Sequence, residues 1–64
     1  MKNNVKNIRK ALGISQKGLG EKLNVSRQTI NAIENEKYDP SLSLAFGLAK
    51  ELNVSIEELF KSDS

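Results

Sequence analysis

The stretch from Ser15 to Glu34, SQKGLGEKLNVSRQTINAIE, constrains the fold of this 64-residue chain more than any other. It contains two short amphipathic segments, each opened by a serine, around a three-residue corner, Asn24-Val25-Ser26. Leu19 and Leu23 stand four residues apart in the first segment, and Ile30 and Ile33 three apart in the second. Each segment, as a helix, therefore has one apolar stripe to bury. Ser15 and Ser26 suit the N-cap position, because a serine oxygen satisfies an orphan backbone N–H of the first turn. Asn24 tolerates the left-handed backbone that a sharp corner needs, and Val25 turns the chain back toward a core. The stretch reads as two helices locked at an angle.

The flanking segments extend the same pattern. A first helix is expected from about Asn4 to Leu12, with Val5, Ile8 and Leu12 on one face and Gly13 as its stop. The second and third helices cover about Gln16 to Leu23 and Arg27 to Asn35. Glu36 to Pro40 form a loop, since a residue preceding proline is biased away from helix, and Ser41 caps the next helix. This fourth helix spans about Leu42 to Leu52, burying Leu44, Ala45, Leu48, Ala49 and Leu52, with Asn53 as terminator. Ser55-Ile56-Glu57-Glu58 matches a capping box that opens a short fifth helix through Leu59 and Phe60. No segment alternates like a strand. The expected fold is all-α, a single five-helix domain over residues 1–64.

A domain of this size buries only about 60% of its unfolded surface, so its stability is marginal or supplied in part by a partner subunit. There is no cysteine and no histidine, hence no disulfide, no thiolate zinc site and no imidazole base. Scattered carboxylates are a poor basis for an enzyme. No apolar run nears the roughly 20 residues of a membrane span, and no charged-then-apolar leader is visible. The expectation is a soluble cytoplasmic protein, without cofactor, metal, membrane or small-molecule ligand.

The net charge of +2 hides an asymmetry. Residues 1–32 carry seven basic side chains (Lys2, Lys6, Arg9, Lys10, Lys17, Lys22, Arg27) and one acid, Glu21. Residues 33–64 carry three basic side chains against seven acids. A basic half joined to an acidic half suits one face turned to a polyanion and another turned away. Arg27, Gln28, Thr29 and Asn31 stand at the N-terminal end of the third helix, where a helix lying in the DNA major groove meets base edges.

These features together resemble the Cro and phage-repressor type of helix-turn-helix proteins, often called the XRE family. The resemblance covers Val5 to Phe60. It is strongest in Ser26-Arg27-Gln28-Thr29-Ile30-Asn31-Ala32-Ile33-Glu34-Asn35 and in Lys37-Tyr38-Asp39-Pro40-Ser41-Leu42; together these match a subgroup of very short, single-domain regulators. The helix-turn-helix would span residues 15–35, with 27–35 as the recognition helix. The resemblance implies base readout by Arg27, Gln28, Asn31 and Ala32. It also implies backbone contacts from Gln16, Asn35 and Lys37, to which Lys17 and Thr29 are added as neighbours of helix starts. Arg9 and Glu34 align with a semi-buried ion pair tying the first helix to the end of the third. The side-chain chemistry agrees. Arginine offers a fork for guanine O6/N7, glutamine or asparagine can pair with adenine N6/N7, and an alanine methyl can meet a thymine methyl. Lysine and the Gln16 amide position the protein on phosphate without reading sequence.

The chain departs from the family pattern at four positions. Gly18, Gly20 and Gly47 stand at helical positions, each costing roughly 0.5–1 kcal/mol against alanine. Gly20 would permit a closer approach of the second and third helices. Glu36 stands where many relatives have glycine, which is expected to change the backbone path into Lys37. Tyr38 is read as an anchor for the loop. Val54, Ile56, Leu59 and Phe60 form an apolar edge within residues 52–61 that suits a symmetric homodimer; the alternative is that Phe60 folds back on the first and fourth helices. The expected function is a double-stranded DNA-binding transcriptional regulator, a dimeric repressor of an inverted-repeat operator. The alternative is a protein-interaction module, such as an antitoxin or small antagonist, that heterodimerises through the fourth and fifth helices.

Overall fold

A computed structural model describes residues 2–61. The chain runs through β1 (Lys2–Asn3), α1 (Val5–Ala11), α2 (Gln16–Leu23), α3 (Arg27–Glu34), α4 (Leu42–Leu52), α5 (Ile56–Leu59) and β2 (Phe60–Lys61). Five helices surround one core of Val5, Leu19, Ile30, Ile33, Leu48, Ala49, Leu52 and Leu59. Each of the five helices contributes at least one of these residues, so none can leave without exposing apolar surface to water.

The starts of α2, α3, α4 and α5 coincide with the serines. The hydroxyls of Ser15, Ser26, Ser41 and Ser55 accept the backbone N–H of Gly18, Thr29, Leu44 and Glu58 at 2.8, 3.1, 3.1 and 3.0 Å. At α5 the box is complete, with the Ser55 N–H donating to Glu58 Oε1 at 2.9 Å. That contact holds the Glu58 carboxyl below its usual range. The stabilisation it provides is present above the ordinary carboxylate pKa and fades as pH falls through the lowered one.

The ends of the first four helices share one geometry. Gly13, Asn24, Glu36 and Asn53 have φ of +73°, +62°, +61° and +58°. After each, the chain closes a Schellman pair, for example Asn24 N–H to Glu21 O at 3.4 Å and Val25 N–H to Gly20 O at 2.9 Å. Three corners therefore read as a left-handed residue, an aliphatic and a serine cap: Gly13-Ile14-Ser15, Asn24-Val25-Ser26 and Asn53-Val54-Ser55. Their aliphatics all pack against the core. At the central corner the approach is close. A Cβ on Gly20 would lie 2.7 Å from the Val25 carbonyl oxygen, inside van der Waals contact.

Four expectations are corrected. Helix α1 stops at Ala11, one residue short, and Leu12 beyond it is 52% exposed rather than part of the buried stripe. Glu36 does not redirect the chain: it adopts the left-handed backbone that glycine would, with its N–H on Ile33 O at 3.0 Å and Lys37 N–H on Ala32 O at 2.9 Å. The four-residue α5 ends before Phe60, which turns extended at φ −114°, ψ 122°. The chain also contains strands, where none was expected. Asn3 pairs antiparallel with Phe60, and Lys2 with Lys61. Two-residue strands carry no alternation to read; backbone pairing alone makes them. Asn4 completes the junction, its backbone N–H reaching Leu59 O at 2.8 Å and its Nδ2 reaching Glu58 O at 3.2 Å. The last carbonyls of α5 are thereby satisfied.

A left-handed backbone costs an L-residue about 1–2 kcal/mol, of which glycine's greater unfolded-state freedom returns about 0.4–1 kcal/mol. Glu36→Gly is accordingly expected to stabilise the domain by about 0.5–1 kcal/mol, raising the midpoint of thermal unfolding by several degrees. A midpoint that stays or drops would show that residue 36 carries no such strain.

Candidate nucleic-acid interface

Helix α3 presents two opposed faces. Ile30 and Ile33 are fully buried, while Arg27, Gln28, Asn31 and Asn35 are exposed. At about 100° of rotation per residue these four side chains share about 100° of arc. Ala32 flanks that arc and is half-buried. The arc offers one guanidinium fork and three carboxamides, groups matched to base edges. Asn35 Nδ2 donates to Asn31 Oδ1 at 3.1 Å, which ties the two carboxamides together and leaves the Asn31 amide nitrogen without a share in that bond. Thr29 is placed differently: it is half-buried and its hydroxyl lies 3.0 Å from that of Ser26, so it reinforces the cap.

Neither α2 nor α3 has an acidic residue in its first turn, whereas α5 has Glu57 and Glu58 there. The positive dipole ends of the two helices of the motif are therefore uncompensated, which suits an anion. Lys17 is exposed on the first turn of α2, and Lys37 is exposed just past α3.

The exposed arc is held from behind by a nearly dry carboxylate. The Glu34 side chain is 1% exposed and that of Arg9 is 8% exposed. Arg9 Nε lies 2.7 Å from Glu34 Oε2, and Arg9 Nη2 donates to Glu34 Oε1 at 3.2 Å. Gln16 Nε2 donates to the same Oε1 at 2.9 Å. Arg9 Nη1 also donates to Ile14 O at 2.9 Å, fixing the corner that precedes α2. One group of side chains thus joins α1, the start of α2 and the last residue of α3. Gln16 has a structural partner that the sequence did not reveal, because its neighbour is 18 residues away. One of its two amide hydrogens is committed to Glu34, and the other remains for an outside acceptor. Asn3 adds a second brace, its Nδ2 donating to Ile33 O at 2.9 Å.

The expected dimer edge is only partly available. Leu59 is fully buried in the core and cannot line an interface; Val54, Ile56 and Phe60 are half-buried and pack on the same core. Phe60 matches the fold-back alternative to that extent. The large exposed apolar side chains lie elsewhere, at Leu12, Tyr38, Leu42 and Phe46. The one available signal for Leu42 and Phe46 is the uncharged run Leu42 to Ala49, which reads as core unless its two faces are counted separately. Among the described residues, no helix is long and apolar enough to cross a membrane, and no group of three or more potential metal-ligating side chains occurs.

Removing Arg9 strands the Glu34 carboxylate in a nearly dry site with one amide donor. Arg9→Met is expected to cost about 3–5 kcal/mol in denaturant unfolding. The double variant Arg9→Met/Glu34→Leu should recover much of that loss. A cost below about 1 kcal/mol for Arg9→Met would show that the pair does not anchor the motif.

A helix-turn-helix family matches residues 5–59. An uncharacterised HTH-type transcriptional regulator of Methanocaldococcus jannaschii is 55% identical over 60 residues, covering 94% of this chain and 91% of that protein. The HTH-type transcriptional regulator YgzD of Bacillus subtilis is 47% identical over 60 residues, with the same coverage. Among solved structures, the P22 c2 repressor in complex with a synthetic operator matches with a TM-score of 0.86 at 32% identity, covering 94% of this chain and 91% of that one. The restriction-modification controller protein C.AhdI of Aeromonas hydrophila matches with a TM-score of 0.82 at 28% identity, covering 89% and 86%. The chain belongs to the Cro and phage-repressor type of helix-turn-helix proteins, transcriptional regulators built on a DNA-binding fold and not enzymes.

Proposed function

We propose that this protein is a sequence-specific repressor that binds an inverted-repeat operator as a homodimer in the cytoplasm. The carrying observation is the exposed arc of Arg27, Gln28, Asn31 and Asn35, fixed in orientation by the Arg9–Glu34–Gln16 group behind it. Helix α3 lies in the major groove of each half-site. Arg27 and Gln28 read bases, Asn31 reads a further position, and the Ala32 methyl packs against the groove wall. Gln16, Lys17, Asn35 and Lys37 hold the phosphate backbone. Gln16 does so with the amide hydrogen that Glu34 leaves unused, so the phosphate contact and the ion pair share one side chain. Thr29 acts mainly through the Ser26 cap. The two half-sites are centred about 34–36 Å apart, one turn of DNA. Repression results from occupying a promoter and excluding polymerase. The likeness to a repressor solved on its operator supports this reading.

Selection of sites from random duplex DNA at about 150 mM salt is the direct test. An enriched inverted repeat with one-turn spacing is the expected result. Enrichment of nothing by the folded protein would sink the proposal and favour a partner-binding module acting through α4 and α5. On the selected site, Arg27→Ala or Gln28→Ala should each lose about 1–3 kcal/mol of discrimination at one or two positions. Lys37→Ala should weaken binding to all sequences alike and flatten the logarithmic salt slope by about one. Wild-type selectivity in the first pair, or an unchanged slope in the last, would remove that residue from its role.

A further inference from the structure

On the exposed arc of α3, Arg27 and Gln28 make no side-chain hydrogen bond among the described residues, whereas Asn31 and Asn35 hold each other. The polarity of that hold has chemical content. A carboxamide brings two N–H donors and two acceptor lone pairs. Because Asn35 Nδ2 donates to Asn31 Oδ1, Asn31 has spent one lone pair and keeps both amide hydrogens open. The bond also fixes which end of Asn31 is which. Exchanging its oxygen and nitrogen alone would set two N–H groups against each other. In water such a bond between exposed residues four apart is weak, since water competes for both groups. Beneath a DNA duplex that competition is removed, and breaking the bond would leave a polar group unmet.

We propose that Asn35 is a positioning residue that presents Asn31 to the major groove as a hydrogen-bond donor, so that the base read by Asn31 is guanine. The proposal rests on the operator-binding reading above and names what one of its readers recognises. Guanine turns two acceptors, O6 and N7, to the groove, which two open amide hydrogens match. Adenine turns N7 beside an N6–H donor, and that donor asks for an acceptor. An unattached asparagine meets adenine by giving Oδ1 to N6–H and Nδ2 to N7. Here Asn35 already engages that oxygen. The residue type alone points to adenine; the neighbour one turn on redirects it.

The placement of Asn35 suits this role. It is the C-cap of α3, at φ −89° and ψ 8°, a backbone that any residue adopts without strain. Its backbone N–H donates to Asn31 O at 3.0 Å, so the last turn of the helix holds without the side chain. One amide hydrogen of Asn35 goes to Asn31, and the other is left for a phosphate. A single side chain thereby links a contact that positions the helix to one that reads sequence.

The test is equilibrium binding to the selected operator, with each base pair placed in turn at the position whose discrimination Asn31→Ala abolishes. The wild-type chain should prefer a G·C pair over an A·T pair there by about 10-fold. Guanine replaced by 7-deazaguanine, which lacks the N7 acceptor, should weaken wild-type binding and leave that of Asn31→Ala unchanged. Asn35→Ala, at an exposed position, should keep its helical circular dichroism and lose most of the preference. Asn35→Asp only accepts, so it draws Asn31 Nδ2 to itself and frees Oδ1 for the groove. Its preference should move toward A·T, on top of a uniform loss of affinity from the added negative charge. With Asn31→Ala already in place, neither change at Asn35 should alter base preference. A lost phosphate contact or a frayed helix end would lower affinity for all sequences alike and produce none of these shifts.

A wild-type preference for A·T at that position would overturn the proposal. So would a G·C preference that survives in both Asn35 variants, or an Asn31→Ala variant with unchanged discrimination everywhere. Enrichment of no site by the folded wild-type chain would count against operator binding itself. A selected site still read through Arg27 and Gln28, but indifferent to Asn35, would overturn only the positioning role.

Discussion

The geometry of the helix-turn-helix depends on where one carboxylate sits. Glu34 ends α3 with its side chain out of water, and three donors from two other helices converge on it. Burying a charge is tolerable only when its lone pairs are met, so the carboxylate fixes its donors as strictly as they fix it. Because Arg9 also holds Ile14 O, the same guanidinium sets the corner that launches α2. Moving α3 relative to α2 would break the group at several points together. In a domain this small, with few fully buried side chains, such a group supplies orientation that apolar packing alone, being non-directional, does not.

Much of this is legible in the sequence because it is local. Ser15, Ser26, Ser41 and Ser55 cap helices through a contact three residues away, and Gly13, Asn24 and Asn53 end them with a backbone their residue types favour. The helix-turn-helix and the exposed residues of α3 emerge from those signals. The illegible parts are non-local or contrary to type. Glu36 takes a glycine-like backbone because the two Schellman hydrogen bonds after α3 outweigh a modest conformational cost. Gln16 is drawn inward by Glu34, which no pattern within α2 records. Leu59 reads as edge because α5 is so short, whereas its side chain belongs to the core formed with the other four helices. Leu42 and Phe46 escape a reading by pattern because the uncharged run Leu42 to Ala49 resembles core on every face.

Polar and apolar contacts divide the labour. The corners set interhelical angles through backbone hydrogen bonds, with Ile14, Val25 and Val54 as the apolar plug of each. The loop from Asn35 to Ser41 departs from that plan, since Lys37 stands where the other corners place an aliphatic. It is the longest connection among the described helices, and it carries the exposed Lys37 and Tyr38. Loops of that kind hold function because the helices on both sides are already fixed.

The pairing of Lys2 with Lys61 makes the described chain nearly a closed ring. Its two ends emerge side by side, and Asn3 ties that seam to the last turn of α3 through Ile33 O. A short peptide could bridge the ends without crossing the core, and the ring could be opened in the Asn35–Ser41 loop instead. The order in which the helices are threaded is therefore separable from the arrangement they reach, and any extra segment joined at either end would emerge from the same seam.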